Sequence, residues 1–284
     1  MTYATLVDPA TLHAHLDDPN WIVIDCRHTL ADFSLGRKMY EEGHIAGAFF
    51  ADVEHDLAGE QTGTNGRHPL PDPEHFAQFL RALGANRDSQ IVAYDAGGDM
   101  FAARLWFLCK WIGHDRVAVL DGGLTAWRAA GYDVSADPPA ATALGTLPVR
   151  LNDALVVTAD EVLRNLERAD MQLLDARGAD RFAGQNETID PVAGHIPGAQ
   201  NRPFKQNFAD DLRLRSAAEL RAAFEPFGEP ARIVHQCGSG VSGAANMLAM
   251  EAAGLHGSRL YAGSWSEWIA DPSRPIVGAA TEGS

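Results

Sequence analysis

The sequence predicts an α/β protein made of two tandem domains, each a parallel sheet with helices on both faces. Its length points to two domains, an internal duplication defines the halves, and alternation of strand-like and helical patterns gives the class. At 284 residues the chain exceeds the size at which one hydrophobic core stops growing, so two domains of roughly 140 residues each are expected.

The duplication rests on four matches in the same order. Ile22-Val23-Ile24-Asp25-Cys26-Arg27 pairs with Leu173-Leu174-Asp175-Ala176-Arg177, each an apolar run ending in Asp-x-Arg. Gly43-His44-Ile45-Ala46-Gly47-Ala48 pairs with Gly194-His195-Ile196-Pro197-Gly198-Ala199. Ile91-Val92-Ala93-Tyr94-Asp95 then pairs with Ile233-Val234-His235-Gln236-Cys237, and Leu120-Asp121-Gly122-Gly123-Leu124-Thr125-Ala126-Trp127 with Tyr261-Ala262-Gly263-Ser264-Trp265-Ser266-Glu267-Trp268. Two copies make a duplicated domain, since a solenoid needs at least three.

Ser135 to Thr146 is rich in Pro, Ala, Gly and Thr and has neither helical nor strand period, so it reads as the linker. The expected organisation is an N-terminal domain over 1–134, a linker over 135–150 and a C-terminal domain over 151–284. Helical spacing marks Pro73 to Leu83 and Ala217 to Phe227, while Met100 to Ile112 and Ala244 to Ala253 follow the Ile-Val runs. Strand and helix in alternation imply a covered parallel sheet with ligands at the carboxyl ends of its strands, which puts Asp95 and Cys237 at equivalent sheet edges.

Hydrophobic residues at 46% and charged residues at 21% are ordinary for a soluble globular protein. A formal net charge of -15 argues against nucleic acid or an anionic membrane as partner and requires a local cationic site for any small anionic substrate. Met1 to Asp8 lacks a basic region followed by an apolar stretch, and no run approaches the roughly 20 apolar residues that span a bilayer. The expected location is the cytoplasm. Three scattered cysteines, Cys26, Cys109 and Cys237, suit neither a disulfide framework nor a Cys-x-x-Cys metal site.

Cys237 lies between the strand Ile233-Val234-His235-Gln236 and a helix expected to start near Ser242 or Gly243. Gly238, Gly240 and Gly243 let the backbone curl so that successive N–H groups point into one concavity, and the helix N-terminus adds its positive end. Such a nest stabilises an anion, the thiolate first and a persulfide afterward. Stabilising the thiolate is how a cysteine becomes nucleophilic near neutral pH. Cys26 beside a strand end and Cys109 in the apolar helix Leu105 to Ile112 lack any such setting and read as structural.

The loop Cys237-Gly238-Ser239-Gly240-Val241-Ser242, the duplicated Gly-His-Ile-x-Gly-Ala, the Asp-Gly-Gly-x-x-x-Trp segment and Tyr261-Ala262-Gly263-Ser264-Trp265 together resemble tandem-domain rhodaneses and mercaptopyruvate sulfurtransferases. The likeness runs from about Trp21 to Trp268. It implies two tandem rhodanese-like domains, the C-terminal one catalytic and the N-terminal one without its cysteine, Asp95 standing in that position. It further implies that Cys237 takes the outer sulfur of a donor as a persulfide and passes it to cyanide, a thiol or a protein. No metal or organic cofactor is implied.

By the same resemblance Arg181, in Asp180-Arg181-Phe182-Ala183-Gly184, matches the arginine that binds the donor's anionic end, a task suited to a planar guanidinium. Gly238, Gly240, Val241 and Ser242 complete the expected binding loop around the persulfide. Arg177 is better explained structurally, because Arg27 repeats it in the domain without a cysteine. A second arginine common in mercaptopyruvate enzymes is missing from Gln185 to Val192, so Arg181 stands as the only cation that a motif places at the donor site. Ser239 either relays a proton or bonds the backbone as a loop serine. His44 and His195 share a repeated motif and hence a structural role, although the resemblance also allows His44 to face the active site. Trp265 and Tyr94 read as core or pocket lining.

Thiosulfate-preferring relatives place Arg-Lys directly after the cysteine, where this chain has Gly238 and Ser239, so 3-mercaptopyruvate is the expected donor and thiosulfate the alternative. A cysteine phosphatase is excluded because its loop ends Cys-x5-Arg and the sixth residue after Cys237 is Gly243. An inactive binding module is disfavoured by the intact cysteine, the complete loop and Arg181.

Overall fold

The structure, a computed structural model, describes residues 2–29, 32, 34–140 and 143–278. It forms two compact units. Unit 1 comprises Met1–Gly59, Leu70–Asp153 and Phe208–Arg215, and unit 2 comprises Glu60–Pro69, Ala154–Asn207 and Ser216–Ser284. Each unit therefore takes one short segment from the other half of the sequence.

Unit 1 runs β1 (Leu6–Val7), α1 (Pro9–His13), β2 (Trp21–Asp25), α2 (Ser34–Glu42), β3 (Phe49–Phe50), α3 (Pro73–Ala82), β4 (Gln90–Tyr94), α4 (Phe101–Trp111), β5 (Val117–Leu120) and α5 (Gly123–Ala129). Among the described residues its sheet is five-stranded and parallel, in the order β1-β5-β4-β2-β3. Unit 2 runs α6 (Ala159–Arg168), β6 (Gln172–Asp175), α7 (Ala179–Phe182), β7 (Gln200–Asn201), α8 (Ala217–Phe224), β8 (Ile233–Gln236), α9 (Val241–Ala252), β9 (Arg259–Leu260) and α10 (Ser264–Trp268). Its sheet is parallel in the order β7-β6-β8-β9.

The central strands β4 and β8 are buried at every position, as expected of strands covered on both faces. The helices that follow them, α4 and α9, are buried nearly all round, which explains their continuous apolar sequence. Other helices are set by their caps. Asp72 caps α3 with Pro73 in its first turn, and Thr158 with Glu161 and Ser216 with Glu219 form capping boxes at α6 and α8. Tyr94 packs in the core of unit 1, and Tyr261, Trp265 and Trp268 in that of unit 2.

Some elements depart from the sequence reading. The helix after Cys237 begins at Val241, one residue before Ser242, because Gly240 adopts φ 79° and caps it. Gly243 serves packing rather than loop curvature: a Cβ there would lie 2.9 Å from Leu260 Cδ1 and 3.4 Å from the Gln236 backbone, so its absence lets α9 approach β8 and β9 closely. Ala217 to Phe227 divides into α8 and a 3₁₀ turn at Glu225–Phe227, broken by Pro226. Residues 141 and 142 of the proposed linker lie outside the described residues. Residues 143–150 carry no regular structure but are tied to unit 1, with Gly145 N–H donating to Arg81 O and Leu147 N–H to Ala85 O, at 2.8 and 3.1 Å, and Leu147 buried. No helix among the described residues is long and apolar enough to cross a membrane.

Candidate active site

In unit 2, β8 delivers Cys237 to the carboxyl edge of the sheet, where the chain turns through Gly238, Ser239 and Gly240 into α9. The turn is fixed from both sides. Cys237 N–H donates to Ser264 Oγ at 3.0 Å, and the carbonyls of Cys237 and Gly238 accept the N–H groups of Trp265 and Ser266 at 3.0 and 2.9 Å. Gly240 needs to be glycine twice over. Its φ is in the left-handed region, and a Cβ would sit 2.9 and 3.0 Å from the Ala262 carbonyl carbon and Cα. With that geometry Gly240 N–H donates to Cys237 Sγ at 3.1 Å. The sulfur thus rests on a backbone donor at the start of α9, and Cys237 is 2% exposed.

Unit 1 repeats the loop with Asp95 in place of the cysteine. The Asp95 carboxylate accepts the N–H groups of Gly97 at 3.0 Å and Ala102 at 3.1 Å, so the side chain itself occupies the donor nest. Burial, and then Asp99, push Asp95 up to about 6. Leu212, on the segment Phe208–Arg215, lies against Gly97 and Gly98, and Leu214 N–H donates to Asp121 Oδ1 at 2.9 Å.

The segment Glu60–Pro69 brings two groups to the Cys237 loop that sequence reasoning missed. His68 Nδ1 lies 2.7 Å from Ser239 Oγ, with both residues buried. Ser239 therefore bonds an imidazole, not the backbone. Arg67 forms an ion pair with Asp190, and its guanidinium would lie 2.9 Å from a Cβ on Gly238. Gly238 has no side chain where this guanidinium arrives.

Arg181, on α7, stands on the same side of the loop, 3.6 Å from that Cβ position. Its Nε donates to both carboxylate oxygens of Glu187 at 3.1 and 3.0 Å, and its Nη2 to Asp190 Oδ2 at 2.9 Å. Arg181 is therefore not the only cation beside the loop, contrary to the expectation from its motif. Arg67 supplies a second guanidinium beside Gly238, although Gln185 to Val192 carry no basic residue. Two signals for the segment were present in the sequence: Arg67 and His68 adjoin each other in an otherwise acidic chain, and Gly66 and Pro69 bracket them as a shaped loop.

The structure places the other expected residues variously. Val241 and Ser242 form the first turn of α9 and are buried. Arg177 pairs with Asp175 at 2.7 Å and donates to Gly194 O, and Arg27 does the same with Asp25 and Gly43 O, which makes both arginines braces under their sheets. His44 Nδ1 lies 2.8 Å from Tyr40 O and Nε2 3.0 Å from Asp137 O, all within unit 1, and His195 makes the matching approach to Phe182 O. The histidine that meets the loop serine is His68, not His44. Trp265 and Tyr94 are fully buried core residues. Cys26 and Cys109 are also fully buried, and burial pushes both thiols up. Among the described residues no cluster of three or more His, Cys, Asp or Glu side chains is arranged to hold a metal ion.

The model of the rhodanese-like domain matches residues 8–130 and again 158–271. A Pseudomonas aeruginosa protein named "Probable 3-mercaptopyruvate sulfurtransferase" is 44% identical over 282 residues, covering 98% of this chain and 99% of that one. The thiosulfate sulfurtransferase of Rattus norvegicus is 32% identical over 260 residues, covering 88% and 86%. Among solved structures, SseA from Escherichia coli, described as a 3-mercaptopyruvate sulfotransferase, superposes with a TM-score of 0.80 at 32% identity, covering 93% of this chain and 99% of that one. The chain belongs to the rhodanese-like domain family, and with two tandem copies matched to sulfurtransferases over nearly its whole length it is a sulfurtransferase of that family.

Proposed function

We propose that the chain moves a sulfur atom from 3-mercaptopyruvate to a thiophilic acceptor, cyanide, a thiol or a protein, through a persulfide on Cys237. The observation that carries this reading is Cys237 Sγ accepting the Gly240 N–H at 3.1 Å beside two guanidiniums, Arg67 and Arg181, next to the side-chain-free Gly238. A sulfur anion is held by the loop, and a carboxylate end of the donor by the cations.

The Cys237 thiolate attacks the donor's sulfur, the carbon–sulfur bond breaks, and its electron pair passes into the enolate of pyruvate. That carbon then takes a proton. Ser239, hydrogen-bonded to His68 at 2.7 Å, is the hydroxyl–imidazole pair with the reach to hold or hand on that proton. The acceptor attacks the outer persulfide sulfur and returns Cys237 as thiolate. Gly238, Gly240, Val241 and Ser242 shape the loop around that sulfur, and His44 braces unit 1. In this reading the C-terminal domain, 151–284, is catalytic together with the segment Glu60–Pro69, while the rest of the N-terminal domain, 1–134, is not, its nest filled by Asp95. The protein acts in the cytoplasm.

Thiosulfate by the same mechanism is the second reading, supported by the relatives that carry that name. Steady-state kcat/KM measured for both donors decides between them. A higher value with 3-mercaptopyruvate is expected, and a clear preference for thiosulfate would overturn the assignment.

A further inference from the structure

We infer that Asp190 and Arg67 set the net charge of the donor site and thereby select a singly charged sulfur donor over a doubly charged one. This rests on the sulfurtransferase reading and adds the residues that decide between donor classes.

Six ionic groups meet beside the Cys237 loop. Arg177 is closed on Asp175, Arg181 is forked onto Glu187, and Asp190 takes Arg181 on one oxygen and Arg67 on the other. Three guanidiniums against three carboxylates give a formal charge of zero. The groups are not equally open. The side chains of Asp175 and Asp190 are 0% exposed and that of Glu187 3%, whereas Arg181 is 19% and Arg67 30% exposed. The cluster thus turns its cationic face outward and keeps its carboxylates behind it.

The Cβ position of Gly238 marks where these groups converge, 2.9 Å from Arg67, 3.6 Å from Arg181 and 3.6 Å from Asp190 Oδ2. A carboxylate entering here finds two guanidiniums whose charge is already balanced by buried anions. One negative charge is accommodated by donor geometry and hydrogen bonds. A second adds repulsion from Asp190, while the third guanidinium of the cluster, Arg177, is taken up by Asp175. Burial lowers Arg67 from its ordinary range, and its nearby anions oppose that only in part.

The inference makes a prediction of sign. Asp190→Asn adds one positive charge to the site and Arg67→Gln removes one, so the ratio of kcat/KM for thiosulfate to that for 3-mercaptopyruvate should rise in the first and fall in the second. A unit charge a few ångströms from the donor, at an effective dielectric between protein and water, changes that ratio by about tenfold. General loosening of the site would lower both donors together and move both ratios the same way or not at all. The assay uses the full chain with cyanide as acceptor, with circular dichroism and alkylation of Cys237 by neutral iodoacetamide as checks on fold and thiol. If Asp190→Asn does not fold, the fall in Arg67→Gln still decides the matter. Opposite shifts support the inference. Unmoved or parallel ratios in variants that transfer sulfur overturn it alone, and a parent protein that forms no persulfide from either donor overturns the functional reading with it.

Discussion

Arg181→Met removes the guanidinium that holds two buried carboxylates, and its consequences follow from what each carboxylate keeps. Glu187 loses a forked pair at 3.0 and 3.1 Å but retains the N–H groups of Ile189 and Asp190 at 2.9 and 3.0 Å. Asp190 loses a 2.9 Å contact and retains Arg67. Both anions remain partnered, so the stability cost should be about 1–3 kcal/mol and not the larger value of a stranded buried charge. For a chain of this size that is a fall in Tm of several degrees, on the order of 2–4 °C per kcal/mol. The donor loses one charge-assisted partner, worth roughly 1.5–3 kcal/mol, or about ten- to a hundredfold in kcat/KM. Arg67 remains as a neighbouring cation, which places the single variant at the lower end. The double variant Arg67→Gln/Arg181→Met should lose about a further tenfold. Arg181→Lys, which keeps the charge without the fork, should fall between parent and methionine. The assay is steady-state transfer from 3-mercaptopyruvate to cyanide below the Tm of each variant, with iodoacetamide alkylation of Cys237 as a measure of the thiol alone. Alkylation should change little, since that reagent has no anionic end. A kcat/KM within about twofold of the parent would refute a donor-binding role for Arg181.

Two further outcomes follow from the geometry. His68→Gln and Ser239→Ala should each lower kcat with 3-mercaptopyruvate by about a hundredfold, as expected for a lost proton-transfer partner, and the double variant should be little worse than either. Multiplying losses, or losses under about threefold, would break the proposed pair apart. Asp95, ordinary at 3.8 when unfolded and about 6 when folded, binds its proton more tightly in the native state. Its contribution to stability is therefore fully present below the unfolded value and is lost as pH rises through about 6. Denaturant unfolding of the parent and Asp95→Asn should show the parent losing stability relative to the variant as pH rises from about 3.8 through about 6, and a gain over that range would contradict the reading.

Much of this architecture is legible in the sequence because it is periodic or repeated. The apolar runs at Ile91 and Ile233 must be strands if both halves carry them before the same kind of loop, and Cys237 stands out because three glycines follow it. The two-residue strands β1, β3, β7 and β9 are too short to carry a period. Arg67 and His68 escaped for a different reason. Comparing halves finds what the halves share, whereas Glu60–Pro69 earns its place through contacts with residues more than a hundred positions away, such as Asp190 and Ser239. Arg181 and Arg177 are distinguishable from sequence because only Arg177 has a counterpart, Arg27, in the half where Asp95 replaces the cysteine.

The central claim is that Cys237 carries the sulfur, and intact-mass spectrometry of the protein after incubation with 3-mercaptopyruvate tests it most directly. A single addition of ~32 Da, the mass of one sulfur, should appear on the parent and on Cys26→Ser and Cys109→Ser, and should disappear on adding cyanide. Cys237→Ser should show no addition and no transfer while its circular dichroism spectrum stays that of the parent, because a hydroxyl cannot hold a persulfide. An addition that persists in Cys237→Ser, or that vanishes with Cys26 or Cys109 in a folded variant, would show that the sulfur travels on another residue.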